Sequence, residues 1–287
     1  MRAISVTSTG GPDVLSYGPV PDPQPGPDEV LVRVHAAGVN FIDTYFRGGL
    51  YPVDLPYTPG LEGAGEVVAL GPGTTGIEVG ARVAWCDVPG SYAELVAVPA
   101  DRAIVVPDGV SYEVAGSSLL RGLTAHYLLN GSAHPEPGDT VLVHAGAGGV
   151  GLLLTQLAQA RRLRVVTTVS GDRKEQLSRA AGAAEVLRYG EDLPARVREL
   201  TGGRGVPVVY DGVGAATFEQ SLHAAAVRGL VVLFGAASGP VPPFDLQRLN
   251  PLGSLTVTRP TLADFIARPD ELAWRAGEYL GSVADGA

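Results

Sequence analysis

Gly146, Gly148 and Gly151 stand at G-x-G-x-x-G spacing directly after the apolar run Val141-Leu142-Val143. That pattern suits phosphate chemistry. A glycine turn closes tightly and lets backbone approach a pyrophosphate, and the following helix offers N–H groups and partial positive charge to it. Gly146 is expected to permit the turn, Gly148 the approach of the phosphates, and Gly151 close packing of helix on strand. The spacing alone is weak in a chain with 39 glycines, where an ordinary strand-turn-helix corner is the plain alternative. The context raises it: Val141 to Val143 read as a buried strand, and Leu152, Leu153, Leu154, Leu157 and Ala158 continue as a helix.

A second group of residues bears on which dinucleotide would bind. An NAD site usually places Asp or Glu about 20 residues past the glycines, on the ribose hydroxyls. Here the next strand ends Val169-Ser170-Gly171, and Arg173 and Lys174 follow. Ser and Lys would welcome a 2′-phosphate that a carboxylate would repel. NADPH is therefore the expected cofactor. Asp172 could take the acid's part but is read as a helix cap, with Glu175 at capping-box spacing. The plain alternative for Arg173 and Lys174 is a solvated helix face.

A third stretch, Asn40-Phe41-Ile42-Asp43-Thr44-Tyr45-Phe46-Arg47-Gly48-Gly49-Leu50-Tyr51-Pro52, sets aromatic rings beside Asn, Asp and Arg. A short helix closed by Gly48-Gly49 is expected. The composition suits a pocket wall or, equally, a loop whose rings fill a small core. The single Cys86 excludes an internal disulfide and a multi-cysteine zinc lobe, and reads as a buried thiol. The five histidines (35, 126, 134, 144 and 223) show no ligand-like spacing, so structural roles are their default.

These residues need elements to hold them. Residues 140–143, 164–169, 185–187, 206–210, 230–234 and 255–258 read as six strands, with helices over 173–181, 194–201 and 217–227. Strand and helix alternating from a glycine turn predict a doubly wound parallel six-stranded sheet, an α/β Rossmann domain. Before it, short strands over 3–7, 29–37, 66–70, 82–85, 92–98 and 103–106 lie between turns rich in Pro and Gly. Helices over 111–130 and 269–283 complete the pattern.

Bulk properties bound the function. Over 287 residues the net charge is −9, which favours solubility and argues against a nucleic-acid surface. No stretch approaches the ~18 uninterrupted apolar residues of a membrane helix, and no signal core is visible at the start. A cytoplasmic protein is expected.

The motifs also carry a resemblance. Gly11-Pro12-x-Val14-Leu15, Gly38-Val39-Asn40-Phe41-Ile42-Asp43-Thr44-Tyr45, Gly49-Leu50-Tyr51-Pro52, Pro59-Gly60-x-Glu62, Gly122-Leu123-Thr124, Gly146 to Gly151, Tyr210-Asp211-x-Val213-Gly214 and Thr258-Arg259-Pro260 run through nearly the whole chain. Together they resemble the zinc-independent quinone oxidoreductases, the zeta-crystallin branch of the medium-chain dehydrogenase/reductase superfamily. The resemblance implies a GroES-like β domain (residues 1–119, with 260–287 returning to it) and a Rossmann NADP-binding domain (residues 120–259). Zinc-dependent members carry Cys and His where this chain has Asn40 and Leu61, so no metal is expected.

By motif, Asn40, Phe41, Asp43, Tyr45 and Tyr51 would line the nicotinamide and substrate cleft, and Arg259 would reach into it. Thr124 would approach the nicotinamide, and Gly149 and Val150 would hold the pyrophosphate. Ser170, Lys174 and Tyr189 would hold the 2′-phosphate end, with Lys174 the firmer of them because many relatives have Gly at position 170. Val213, Phe234 and Gly235 would flank the cofactor. The implied activity is hydride transfer from NADPH to a small-molecule quinone, with Tyr45, Tyr51, Asn40 and Arg259 as donors to the acceptor oxygen. Reduction of an activated C=C bond in an enone or enoyl thioester is the alternative, and an NADPH-binding structural or RNA-binding role without turnover is another. The resemblance, together with the size of a βαβ unit, implies that family members continue about 30 to 40 residues further, so a truncated β domain is expected. A homodimer is expected through strand 230–234 or the stretch 253–258.

Overall fold

The structure is a computed structural model and describes residues 1–190 and 192–286. The chain forms two compact units: Met1–Leu123 with the segment from Ile266 onward, and Thr124–Phe265.

The first unit is built on antiparallel strands. β1 (Arg2–Val6) pairs with β2 (Leu15–Pro19). A five-stranded sheet holds β3 (Glu29–Ala37), β4 (Glu62–Leu70), β5 (Arg82–Cys86), β6 (Leu95–Pro99) and β7 (Ile104–Val105), in the order β6-β3-β4-β5-β7. Helix α1 (Phe41–Arg47) follows β3, and α2 (Tyr112–Tyr127) follows β7. Along β3, Val30 and Val32 are fully buried while Leu31 is not, as period-two alternation requires. They pack with Val67, Val83, Trp85 and Val98. A Val, Leu or Phe so buried contributes about 1.5–3 kcal/mol.

Two expectations fail here. β4 begins at Glu62 and not at residue 66, and its early part contains Gly63 and Gly65. Glycine reads as a strand breaker, yet here neighbours occupy the side-chain space. A Cβ on Gly63 would lie 2.5 Å from the Trp85 ring, and one on Gly65 would lie 2.0 Å from the Arg33 carbonyl oxygen. β2 was not expected at all. Its residues are mostly exposed, so no apolar alternation announces it, and only pairing with β1 makes it a strand.

The second unit is a doubly wound parallel α/β sheet, as expected. Its strands are β8 (Thr140–Val143), β9 (Arg164–Val169), β10 (Glu185–Arg188), β11 (Val206–Asp211), β12 (Ala225–Leu233) and β13 (Thr256–Thr258). They lie in the order β10-β9-β8-β11-β12-β13, every pair parallel. Helices α3 (Gly149–Ala160), α4 (Asp172–Ala180), α5 (Leu193–Leu200), α6 (Phe218–Ala224) and α7 (Leu262–Phe265) connect or follow the strands, and α8 (Pro269–Ala284) belongs to the first unit. Alternate residues of β8 enter different cores. Val141 and Val143 join Leu154, Val165 and Tyr210, whereas Leu142 joins Val166, Leu187 and Leu222.

α6 stops at Ala224, earlier than the helical pattern to residue 227 suggests, because Ala225 pairs with Val206 and draws the chain into β12. β12 lies inside the sheet, between β11 and β13. The stretch 230–234 is therefore not a free edge; of the two expected dimer candidates only the one containing β13 is.

Candidate active site

The glycine turn leaves β8 at its carboxyl end. Ala145, and not Gly146, takes the left-handed conformation there, with φ 52°. Gly146 is needed for a different reason than expected: a Cβ on it would lie 2.4 Å from the Thr167 Cβ on β9. Gly151 works as expected in kind. A Cβ there would come within 2.4 Å of the Ala145 carbonyl oxygen and 2.9 Å of the Gly146 Cα, so only glycine lets α3 start this close to the turn. Gly148 is the N-cap of α3, and no side chain caps that helix and no acidic residue sits in its first turn. Gly149 and Val150 open the helix. The first-turn N–H groups, unsatisfied within any helix, thus meet no capping side chain and no acid of their own turn. Such an uncapped helix start behind a close-packed glycine turn fits a pyrophosphate.

The remaining residues expected around the cofactor come off the carboxyl ends of successive strands. Ser170 follows β9, Tyr189 follows β10, Val213 follows β11, Phe234 and Gly235 follow β12, and Arg259 follows β13. The strand order reverses between β8 and β11, and open α/β sheets bind ligands at the carboxyl ends beside that switch. The loops after β11 and β12 touch through backbone: a Cβ on Gly235 would lie 2.4 Å from the Gly212 carbonyl oxygen. Thr124, near the end of α2, is buried. Arg259 is exposed and donates to the Pro260 carbonyl at 3.3 Å.

At the end of β9 the Lys174 ammonium donates to the Ser170 hydroxyl at 2.9 Å, so this expected pair is one exposed cluster. Asp172 is not the cap. Gly171 occupies that position, extended, and Asp172 is the first helical residue. Its carboxylate instead accepts from Arg188 at 2.7 Å, and Glu175 pairs with both Arg188 and Arg179. Asp172, the acid nearest the expected ribose position in the sequence, is thereby paired with Arg188 on β10 while its side chain stays exposed.

Around α1 the structure adds a residue that the sequence did not single out. Asn40 and Asp43 form a capping box, in which Asp43 Oδ2 accepts from the Asn40 N–H at 2.8 Å. The Asn40 amide donates to Glu62 Oε1 at 2.7 Å, and Glu62 Oε2 accepts from the Leu120 N–H at 2.8 Å. Glu62 is fully buried, and a Cβ on Gly38 would collide with its carboxylate. Burial raises the Glu62 pKa against the pull of the Asn40 hydrogen bond. Asp43 is raised for the same cause, although Tyr92 donates to its Oδ2 at 2.7 Å. Asp43 therefore acts on α1 and on Tyr92; one of its oxygens, Oδ1, has no partner among the described residues. Glu62 did lie in a motif, Pro59-Gly60-x-Glu62, but nothing in that spacing shows what the carboxylate touches.

The rings around α1 are partly exposed. Phe41, Tyr45, Tyr51 and Phe46 form an edge-to-face series with centroids 5.3–5.5 Å apart. Phe41 is 57% exposed and Tyr45 and Tyr51 are half-buried, so this is no closed core. Cys86 is buried as expected, its thiol pushed up by desolvation. Among the described residues no group of three or more His, Cys, Asp and Glu side chains could hold a metal ion.

A GroES-like β unit carrying a polar, ring-lined helix, together with a Rossmann unit carrying an uncapped glycine turn, defines a dinucleotide-dependent oxidoreductase. Comparison with known proteins narrows the class. Residues 26–108 match the family described as "Alcohol dehydrogenase GroES-like domain" and residues 149–274 the family described as "Zinc-binding dehydrogenase". A quinone oxidoreductase of Pseudomonas aeruginosa is 46% identical over 99% of this chain and 89% of its own length. A 2-haloacrylate reductase of Burkholderia sp is 38% identical over 99% of this chain and 91% of its own. A mycobacterial structure complexed with NADPH superposes with a TM-score of 0.97 at 54% identity, covering 99% of this chain and 89% of that one. The chain belongs to the quinone oxidoreductases of the medium-chain dehydrogenase/reductase superfamily.

Proposed function

We propose that this protein reduces quinones with NADPH by hydride transfer. The carrying observation is the end of β9, where Lys174 and Ser170 are joined and Asp172 is held by Arg188. That cluster offers a 2′-phosphate a cation and a hydroxyl and withdraws the competing acid. When bound, NADPH supplies the hydride. The protein binds it at the uncapped start of α3, with Gly149 and Val150 at the pyrophosphate and Val213, Phe234 and Gly235 beside it. Asn40, Tyr45 and Tyr51 of the first unit are proposed to supply hydrogen-bond donors for charge that develops on the acceptor oxygen. A tyrosine hydroxyl is protonated at pH 7 and can donate. Tyr45→Phe and Tyr51→Phe are each expected to slow quinone reduction a few-fold.

The test is the rate of NADPH oxidation with 1,4-benzoquinone, with NADH run beside it. Fast turnover with NADPH and slow turnover with NADH supports the reading; preference for NADH overturns the cofactor assignment. The relative named as a 2-haloacrylate reductase favours a second reading, reduction of an activated C=C bond. Enones, 2-haloacrylates and crotonyl-CoA in the same assay separate the two.

The protein is further proposed to act as a cytoplasmic homodimer joined along β13, the edge strand of the parallel sheet. Val227, 76% exposed beside Gly253, lies next to the stretch that leads into that edge. Among the described residues no helix is long and apolar enough to cross a membrane. Sedimentation of the wild type against a Val257→Pro variant tests the dimer edge.

A further inference from the structure

We propose that His144 is a positioning residue for NADPH, the centre of a one-way hydrogen-bond relay that ties the glycine turn after β8 to Asp211 at the end of β11. This rests on the NADPH-binding reading above. The relay is entirely within the second unit. His144 is 1% exposed, with Nδ1 3.0 Å from the Thr168 hydroxyl on β9 and Nε2 3.0 Å from the Ser221 hydroxyl on α6. Ser221 donates to Asp211 Oδ2 at 2.7 Å.

The directions of the protons follow from chemistry. An ionised carboxylate only accepts, so the Ser221 hydrogen is committed to Asp211. Ser221 can therefore only accept from His144, which places the imidazole hydrogen on Nε2. Nδ1 is then bare and accepts from the Thr168 hydroxyl. The Thr168 oxygen in turn accepts from the Ala145 N–H at 3.3 Å, which is shared with the Tyr189 hydroxyl at 3.0 Å. Every donor along the path points the same way, from the turn to Asp211, and such chains strengthen cooperatively.

Both ends of the relay are cofactor loops. Ala145 holds the left-handed conformation that a non-glycine residue adopts only under constraint. Its N–H is caught by two hydroxyls, one of them on Tyr189, whose ring stacks over His144 at 6.4 Å. At the other end Asp211 also accepts from the Thr217 hydroxyl and from the Val213 and Gly214 N–H groups at 2.9 and 3.1 Å, which fixes the loop after β11. β8 and β11 are the strands flanking the reversal of the sheet, so the relay braces both walls of the crevice beneath the pyrophosphate. Burial keeps the imidazole neutral against the attraction of Asp211.

Two measurements test it. Long-range ¹H–¹⁵N NMR at pH 7 should show His144 as the neutral Nε2–H tautomer; an Nδ1–H or charged ring overturns the relay. Ser221→Ala should raise the Kd for NADPH about tenfold, as expected when buried polar groups lose their partners, and leave the KM for quinone unchanged. An NADPH Kd within twofold of wild type overturns the positioning role. If Ser221→Ala does not fold, Thr168→Val carries the same expectation from the other side of the ring. Wild-type protein that binds no NADPH would sink the function reading and the role of His144 together. Normal wild-type binding with an unaffected variant sinks the role of His144 alone.

Discussion

Around Asn40, the first unit buries Glu62 and Asp43 with pKa values raised by desolvation, and leaves Asp43 Oδ1, the Tyr57 hydroxyl and Arg121 Nε without hydrogen-bond partners among the described residues. Around His144, the second unit buries His, Ser, Thr and Asp in a network where each proton has an acceptor, and the Tyr210 hydroxyl is the one buried side-chain atom of that unit without a partner among the described residues. Unpartnered buried polar groups cost about 1–3 kcal/mol each, so the two arrangements carry different burdens. A cofactor with a fixed phosphate skeleton is best met by rigid, pre-satisfied loops. Acceptors of varied shape are better met by polar groups that are held yet not saturated. The difference teaches which parts should tolerate change: the relay side should break sharply, and the Asn40 side should shift by degrees.

The sharpest way to break this contrast is Gly151→Val. The new side chain meets backbone that cannot yield, 2.4 Å from the Ala145 carbonyl oxygen. NADPH affinity should fall by about 100-fold or more, the order at which a misplaced binding element is felt, as read by fluorescence titration with circular dichroism to follow folding. Lys174→Ala comes next. Loss of a charge-assisted contact should weaken NADPH about 10–100-fold while NADH changes less than about twofold; equal losses for both would remove the 2′-phosphate assignment.

On the other side, Glu62→Gln keeps shape but exchanges an acceptor-only carboxylate for a group that both donates and accepts. The Asn40 carboxamide then has two orientations open to it. The kcat for quinone should fall about tenfold, with the NADPH Kd unchanged. The smallest effect is on stability. Because burial raises the folded pKa of Glu62 above its unfolded value, its stabilising contribution is complete below about pH 4.3 and is lost as pH rises through the folded value. Gln does not titrate. The Tm difference, variant minus wild type, should therefore grow as pH rises above about 4; a constant difference would show that Glu62 is not held in the raised state.

Much of this was legible in the residues. β3, β8 and β9 fall on the expected boundaries because apolar runs and flanking turns agree. The glycine turn and the proximity of Ser170 and Lys174 at the end of β9 were likewise suggested by type and spacing, whereas the exposure of the rings around Tyr45 was not decided by them. Other features were hidden because they depend on neighbours distant in the chain. Glycines inside β4 look like breakers until Trp85 and Arg33 are seen filling their side-chain space. Gly171 caps α4 with no side chain to announce it, and Asp172 turns to Arg188, 16 residues away. His144, Thr168 and Ser221 look unremarkable in isolation, since their meaning lies in contacts spanning 24 and 77 positions.

The sequence by itself determined the parallel sheet and the glycine turn, and it carries the charge pattern on which the proposed cofactor preference rests, because each is written in local patterns of apolar period, glycine spacing and charge. Only the tertiary structure decided which atoms are tied: Asn40 to Glu62, Asp172 to Arg188, and His144 between Thr168 and Ser221. Hydrogen-bond direction and desolvation depend on what folding brings within 3 Å, and no linear spacing encodes that.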